Sequence, residues 1–531
     1  MTGRRGISRS RTRDDAARRR PATERVVISN FAARVQKGLE QLERNRFEEA
    51  ERTFRSALAM NPRDDQLLHL LGIAQLRQGR GEEAARSVQR AIALTKRKAD
   101  YHNTLGFALQ SSGRIEEAVT SFERALKLRP DSSEVRLNLG QALLHARRHA
   151  EAQALFESIL AVTPADAGAL ASLARAKWIA EEFDSAVAVL REGIARIQRN
   201  GRLRFSLSEL LLALGDFENG WREYLERPTR AGTLIRAGRR IDQTPAVDAL
   251  PARLDGRTLK LYGEQGLGDE LFFLRFAAEL RARGAARIEV AVDPRIVGIV
   301  NRSGTADECF AKHLDLLREP DWIVTGDLPY LLRSNGPKFP APLRLRPLEA
   351  RMAEARARLE GLARPLIGLT WRGGTSPATI DYAAPFKALP IEPVAEFAAG
   401  LPGTVLVLQR NPRAAELERL AARTSGRMAD LSMLNDDLEG MLALLAQIDE
   451  YVGVSNTNTH LYAGVGGRGR VLVSSDVEFR WMARGTESPW FPGFKVYRPG
   501  PNGDWSRVFE RVLRDFGATG ARHERTEGAS R

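Results

Sequence analysis

A 34-residue register runs through the first half of the chain. Gly38, Gly72, Gly106 and Gly140 fall at one phase, and Ala174 continues it. Twelve residues on stand Ala50, Ala84, Ala118, Ala152 and Ala186, followed four later by Phe54, Val88, Phe122, Phe156 and Leu190. Pro62, Pro130 and Pro164 punctuate the ends. Small residues let two helices cross closely, a bulky apolar residue fills the next turn, and a proline closes the pair. The pattern therefore predicts stacked helix pairs, the first beginning near Phe31 and the fifth ending near Gln198. A degraded sixth unit containing Leu207, Leu210, Phe217, Trp221 and Tyr224 is expected to cap the stack.

These columns resemble the tetratricopeptide repeat. The resemblance implies an α-solenoid with an extended concave face, so the expected partner is a peptide or protein. The competing expectation is a spacer that docks only on the rest of this chain.

The 531 residues predict three or four domains. No apolar run reaches the roughly 20 residues needed to span a bilayer, and the N-terminus lacks the apolar segment of a secretory signal, so the cytoplasm is the expected address. Cys309 is the single cysteine, which excludes an internal disulfide and any cysteine-based metal cluster. The net charge of +14 is concentrated at the start, where residues 1–25 hold nine arginines against three carboxylates. This reads as a solvated, disordered basic arm over 1–30 and not as a specific nucleic-acid surface.

Residues 31–227 form the repeat region, and 228–257, rich in arginine, threonine, glycine and proline, read as a linker. Beyond it, short β-rich runs alternate with helical ones. Strands are expected at Thr258–Tyr262, Ile288–Val292, Trp322–Thr325, Leu366–Trp371, Val405–Leu408, Tyr451–Ser455 and Val471–Ser474. Helices are expected at Glu270–Arg283, Ala414–Arg423 and Leu438–Ile448. This alternation predicts parallel α/β halves over 258–347 and 365–516, with a charged helical connection at 348–364 and a disordered tail at 517–531. Ligands of such sheets sit beyond the carboxyl ends of the strands, which directs attention to three loops.

The first loop is G-E-Q-G-L-G-D-E, Gly263 to Glu270, where Gln265, Gly266 and Gly268 allow close backbone approach and Asp269 stands at the mouth of a cleft. Asp269 reads as a helix cap or as a base; both roles together require one free oxygen. The second loop follows I-G-L-T-W-R-G-G and carries Arg372, then Lys387, with Arg410 ending the next strand; three cations there suit a diphosphate. The third is V-G-V-S-N-T-N-T-H, in which Ser455, Asn456, Thr457, Asn458 and Thr459 offer amides and hydroxyls to phosphate or ribose and His460 follows. A histidine in this position reads equally as a satisfied structural residue.

Other motifs fail on context. Gly464, Gly466 and Gly469 spell G-x-G-x-x-G but lead from a helix into a strand, the reverse of a dinucleotide fingerprint. Gly453-Val454-Ser455 begins like a nucleophile elbow, but Thr457 takes the place of its second glycine, which disfavours a hydrolase. No phosphate-binding P-loop or zinc-ligand spacing occurs.

E-Q-G-L-G-D-E, G-D-L-P-Y-L-L-R at Gly326–Arg333, L-Q-R-N-P at Leu408–Pro412, V-G-V-S-N-T-N-T-H-L, F-R-W-M and S-P-W-F-P-G-F together resemble the two-Rossmann GT-B region of bacterial tetratricopeptide-repeat glycosyltransferases. That family is related to heptosyltransferases and, distantly, to protein O-GlcNAc transferase. The resemblance implies α + α/β architecture: a repeat solenoid followed by two Rossmann-like halves. It implies inverting, metal-independent transfer from a nucleotide-sugar, itself the substrate with no further cofactor, to a protein or glycan hydroxyl. Asp269 would be the base, Lys387 would hold the diphosphate and His460 would follow the nucleotide turn. Ser455 stands where the family carries aspartate, and the catalytic histidine of the O-GlcNAc enzymes has no counterpart. The alternative is a non-catalytic repeat scaffold with a degenerate transferase-like region.

Overall fold

The computed structural model describes residues 22–197, 200–239, 250–319, 321–334, 336, 339–373, 387–474, 478–500 and 502–528. Two compact units divide the chain, one ending at Leu155 and the other starting at Phe156.

In the first unit the helices are Ala22–Glu43, Phe47–Met60, Asp65–Arg77, Gly81–Leu94, Ala99–Ser111, Ile115–Leu128 and Ser133–His145. The first begins inside the stretch expected to be a tail, of which residues 1–21 lie outside the described residues. The periodic columns meet directly. A Cβ added at Gly38 would lie 2.4 Å from the Phe54 ring, at Gly72 2.4 Å from Val88, and at Gly106 2.7 Å from Phe122. The missing side chain thus makes room for the bulky residue sixteen positions later, and that contact is the seam of each helix pair.

A further column was hidden in the same register. Asp64 and Ser132 cap helices in this unit by accepting from Leu67 N (2.9 Å) and Val135 N (3.3 Å), and Asp166 and Asn200 do the same in the second. Each satisfies an amide that the helix leaves unpaired. Lys98 breaks the series, and its helix has no side-chain cap.

Between successive repeats His69 packs on Tyr101 at 4.5 Å and bonds Thr104 Oγ1 at 2.8 Å. Burial pushes its pKa down from 6.5 to about 4. The unfolded chain therefore binds this proton more readily than the folded one, so stability falls with pH between about 6.5 and about 4. Acid titration of the melting temperature should show this loss, and His69→Gln should flatten it; an unchanged acid limb in the variant would assign the loss to other groups.

The second unit continues the repeats with Ala167–Ile179, Phe183–Arg196, Gly201–Leu214 and Phe217–Tyr224. Pro228–Arg236, within the expected linker, is also helical: proline occupies its first turn and Thr233 and Leu234 are buried. Residues 240–249 lie outside the described residues.

Strands β1 (Thr258–Tyr262), β2 (Arg287–Val292), β3 (Glu308–Ala311) and β4 (Trp322–Val324) form a parallel sheet in the order β3-β2-β1-β4. Helix Glu349–Leu359 leads into the second half. That half comprises β5 (Leu366–Thr370), β6 (Arg372–Gly373), β7 (Lys387–Ala388), β8 (Thr404–Val407), β9 (Met428–Asp430), β10 (Glu450–Gly453), β11 (Arg470–Leu472), β12 (Glu487–Ser488) and β13 (Phe491–Tyr497). Its seven-stranded sheet runs β12-β13-β11-β10-β5-β8-β9 and is parallel except for the edge strand β12; β6 and β7 pair apart as an antiparallel ribbon. Along β5, Ile367 and Leu369 face a core with Phe397 and Phe509, while Leu366 faces the core shared with the first sheet and the repeat end. Burial of both faces explains the unbroken apolar runs.

The final helix, Trp505–Gly528, extends past residue 516, where the tail was expected. The expected helix Glu270–Arg283 is divided into Leu267–Leu274 and Ala277–Ala282. No described helix is long and apolar enough to cross a membrane.

Candidate functional site

The loops after β1 and β10 each lead into a helix, and the opening turns of those helices meet. A Cβ on Gly268 would fall 2.9 Å from His460 Cδ2, so this glycine permits the contact. Each loop starts a helix, Leu267–Leu274 on one side and Thr457–Gly464 on the other, and the two carboxyl-end crevices therefore share a boundary.

Asp269 sits at the junction with both oxygens engaged. Oδ2 accepts from Gly266 N at 3.2 Å, and Oδ1 forms an ion pair with Arg480. The free oxygen required of a capping base is thus taken by an arginine from the second half. Arg480 is buried between the rings of Phe272 and Phe479, 4.6 and 4.9 Å from their centroids. Burial opposes its charge, but Asp269 and Glu478 outweigh it and hold its pKa above the ordinary value. Glu478 also pairs with Lys387 at 3.0 Å.

His460 is buried against Phe491 and Phe272, with ring centroids 5.2 and 6.2 Å away, and forms no hydrogen bond with any described residue. Burial, reinforced by Arg480, Arg275 and Lys387, pushes its pKa well below 6.5. The ring is neutral at physiological pH, so one nitrogen can accept a hydrogen bond and the other can donate. Arg275 donates to Trp490 O at 2.6 Å and Phe272 O at 3.0 Å; burial and the neighbouring Arg480 lower its pKa.

The third loop turns its donors inward. Asn456 accepts from Tyr451 Oη (3.0 Å) and Thr459 N (3.3 Å), and donates to Thr370 Oγ1 (3.0 Å). Asn458 donates to Leu408 O and Asn435 Oδ1, and Thr459 to Val454 O. Ser455 is buried and Thr457 half-buried. The expected phosphate ligands of this loop mostly stitch it to the strands beside it.

Arg372 is likewise committed: its guanidinium donates to Glu416 (2.9 Å) and Asn411 O (3.0 Å), and burial lowers its pKa. The expected diphosphate fork is thus a structural tie across the carboxyl ends of β5 and β8. Arg410 is exposed and joins none of these contacts. Gln265 bonds the Tyr224 hydroxyl at 3.1 Å. Sequence reasoning assigned no role to Arg480, Arg275 or Glu478. The available signal was an arginine set between aromatics in F-R-W, a pattern suited to cation–π burial. Among the described residues no group of histidine, cysteine and carboxylate side chains could hold a metal ion.

The architecture is that of a tetratricopeptide-repeat solenoid joined to a mixed α/β region: residues 35–100 and 109–176 match tetratricopeptide-repeat models. The chain is similar to Protein FlbA of Caulobacter vibrioides, with 29% identity over 344 residues covering 60% of this chain. The match spans 56% of that relative's length. Among solved structures, Pseudomonas aeruginosa pilF matches with 23% identity and a TM-score of 0.32, covering 37% of this chain and 90% of that one. A tetratricopeptide repeat protein from Parabacteroides merdae matches with 19% identity and a TM-score of 0.35, covering 40% and 85%.

Proposed function

We propose that this chain captures a peptide or protein on its repeats and carries an α/β region of the two-half GT-B, Rossmann-like type that serves what the repeats hold. The observation that carries the reading is the meeting, at Gly268 and His460, of two helix openings that follow β1 and β10 at the carboxyl ends of the two sheets. Repeat solenoids supply the extended surface for capture.

The leading role is a protein-interaction scaffold. Asp269, Lys387 and Arg372 are each spent on an internal ion pair, as suits a framework. A second role, sugar transfer from a nucleotide-sugar to a hydroxyl of the captured protein, is favoured by His460, whose neutral ring keeps both nitrogens available. In that role Asp269 would release Arg480 and take the acceptor proton as the hydroxyl attacked the anomeric carbon. Lys387 and Arg480 would exchange their carboxylates for the oxygens of the departing diphosphate. Phosphate competes naturally here because it offers both cations charge-assisted bonds.

Calorimetry with UDP, GDP, ADP, CMP and their sugar conjugates separates the roles. Transfer predicts saturable binding of one nucleotide, weakened about tenfold or more by Lys387→Ala, since a charged hydrogen bond contributes about 1.5–3 kcal/mol. Wild-type protein that binds none of the panel leaves the scaffold role alone.

A further inference from the structure

The first sheet reverses its strand order between β1 and β4, the place where an open parallel sheet receives a ligand. Here that crevice is filled from within the chain. Glu264 follows β1 and Asp327 follows β4, and both carboxylates point at Arg227, whose side chain is fully buried. Arg227 Nε donates to Glu264 Oε1 at 2.6 Å, Nη2 reaches both Glu264 and Asp327, and Nη1 donates to Tyr224 O at 3.1 Å. Arg230 holds the other oxygen of Asp327 at 2.8 Å. Two arginines thus balance two carboxylates. Gly326 lies close underneath: a Cβ there would come within 2.6 Å of Glu264 Oε1 and 2.7 Å of Arg227 Nη2.

Arg227 and Tyr224 belong to the end of the repeat array, and Tyr224 reaches one residue further into the loop. Its hydroxyl bonds both ends of the Gln265 side-chain amide, at 3.3 and 3.1 Å. Gln265 has φ +68°, a conformation that non-glycine residues seldom adopt without support. The next residue, Gly266, donates its amide to Asp269, which in turn meets Arg480. A continuous set of contacts therefore joins the last repeat helix to the centre of the site.

We propose that Arg227 and Tyr224 are positioning residues: the end of the repeat array occupies the first sheet's crevice and sets the Gly263–Asp269 loop in the shape that presents Asp269. The functional meaning of that presentation rests on the reading of the site given above. The crevice between β1 and β4 consequently takes no small ligand, and ligand access is left to the Gly268–His460 junction.

Hydrogen exchange of the full chain, read by mass spectrometry over residues 258–270, tests the assignment. Tyr224→Phe keeps the ring among Trp221, Phe273 and Phe479 and removes only the hydroxyl. Amides of 263–269 should exchange about fivefold faster, the effect of one lost hydrogen bond, with the melting temperature lowered by no more than about 2 °C and the protection of β2 changed clearly less. Arg227→Lys, which keeps the charge but loses the fork, should loosen the same segment. Unchanged exchange at 263–269 in Tyr224→Phe overturns the proposal, as does loosening spread evenly through β1 and β2. The comparison needs no ligand. A wild-type chain that binds no nucleotide would remove the transfer role while the exchange data still decide the positioning role.

Discussion

Trp490→Ala should lower the stability of the second unit by about 4 kcal/mol, the usual cost of emptying a large aromatic site. Trp490 is almost fully buried and packs on Phe339 at 4.4 Å, Phe272 at 5.3 Å, Phe217 at 5.7 Å and Trp221 at 6.0 Å. These rings come from the end of the repeats, the first half and the approach to the second, so the cavity would open where all three join. Its indole nitrogen is buried with no hydrogen-bond partner among the described residues, so Trp490→Phe gives up packing alone and should cost clearly less. Chemical denaturation of both variants provides the check. A deficit below about 1 kcal/mol for Trp490→Ala would show that the cluster closes over the gap.

Arg480→Met carries the second large effect, roughly 3–5 kcal/mol, because removing one partner leaves buried charge uncompensated. Asp269 would lose its cation and Glu478 would keep only Lys387, although methionine can still fill the space between Phe272 and Phe479. Arg480→Lys retains a charge without the planar fork and should recover part of the stability. A fully stable Arg480→Met protein would mean that the pair with Asp269 is dispensable to the fold.

The repeats were legible because each column answers a local need that recurs every 34 residues; Gly106 against Phe122 requires no knowledge of the rest of the chain. The capping column at Asp64, Ser132, Asp166 and Asn200 escaped notice because Lys98 interrupts it. Central strands such as β5 and β8 were readable as apolar runs. Strands β3 and β9 lie at sheet edges with exposed positions, and β13 contains Pro492 and Gly493, which read as a loop. Asp269 and His460 stood out as the ends of β–α loops. The partners that determine their state did not: Arg480 lies 211 residues from Asp269, on a short irregular helix with no period to detect. Arg372 was readable as a cation, but its commitment to Glu416 depends on tertiary contact across 44 residues.

The Arg227 clasp also bears on how such chains can be recombined. A cut at the apparent linker after residue 227 would take Arg227 from Glu264, leave Asp327 with Arg230 alone, and uncover the rings that pack on Trp221. The division between the two compact units lies further upstream, at Leu155 and Phe156, inside the helix His149–Val162. Any recombined chain would therefore have to keep Tyr224 and Arg227 together with the α/β region as one inherited block.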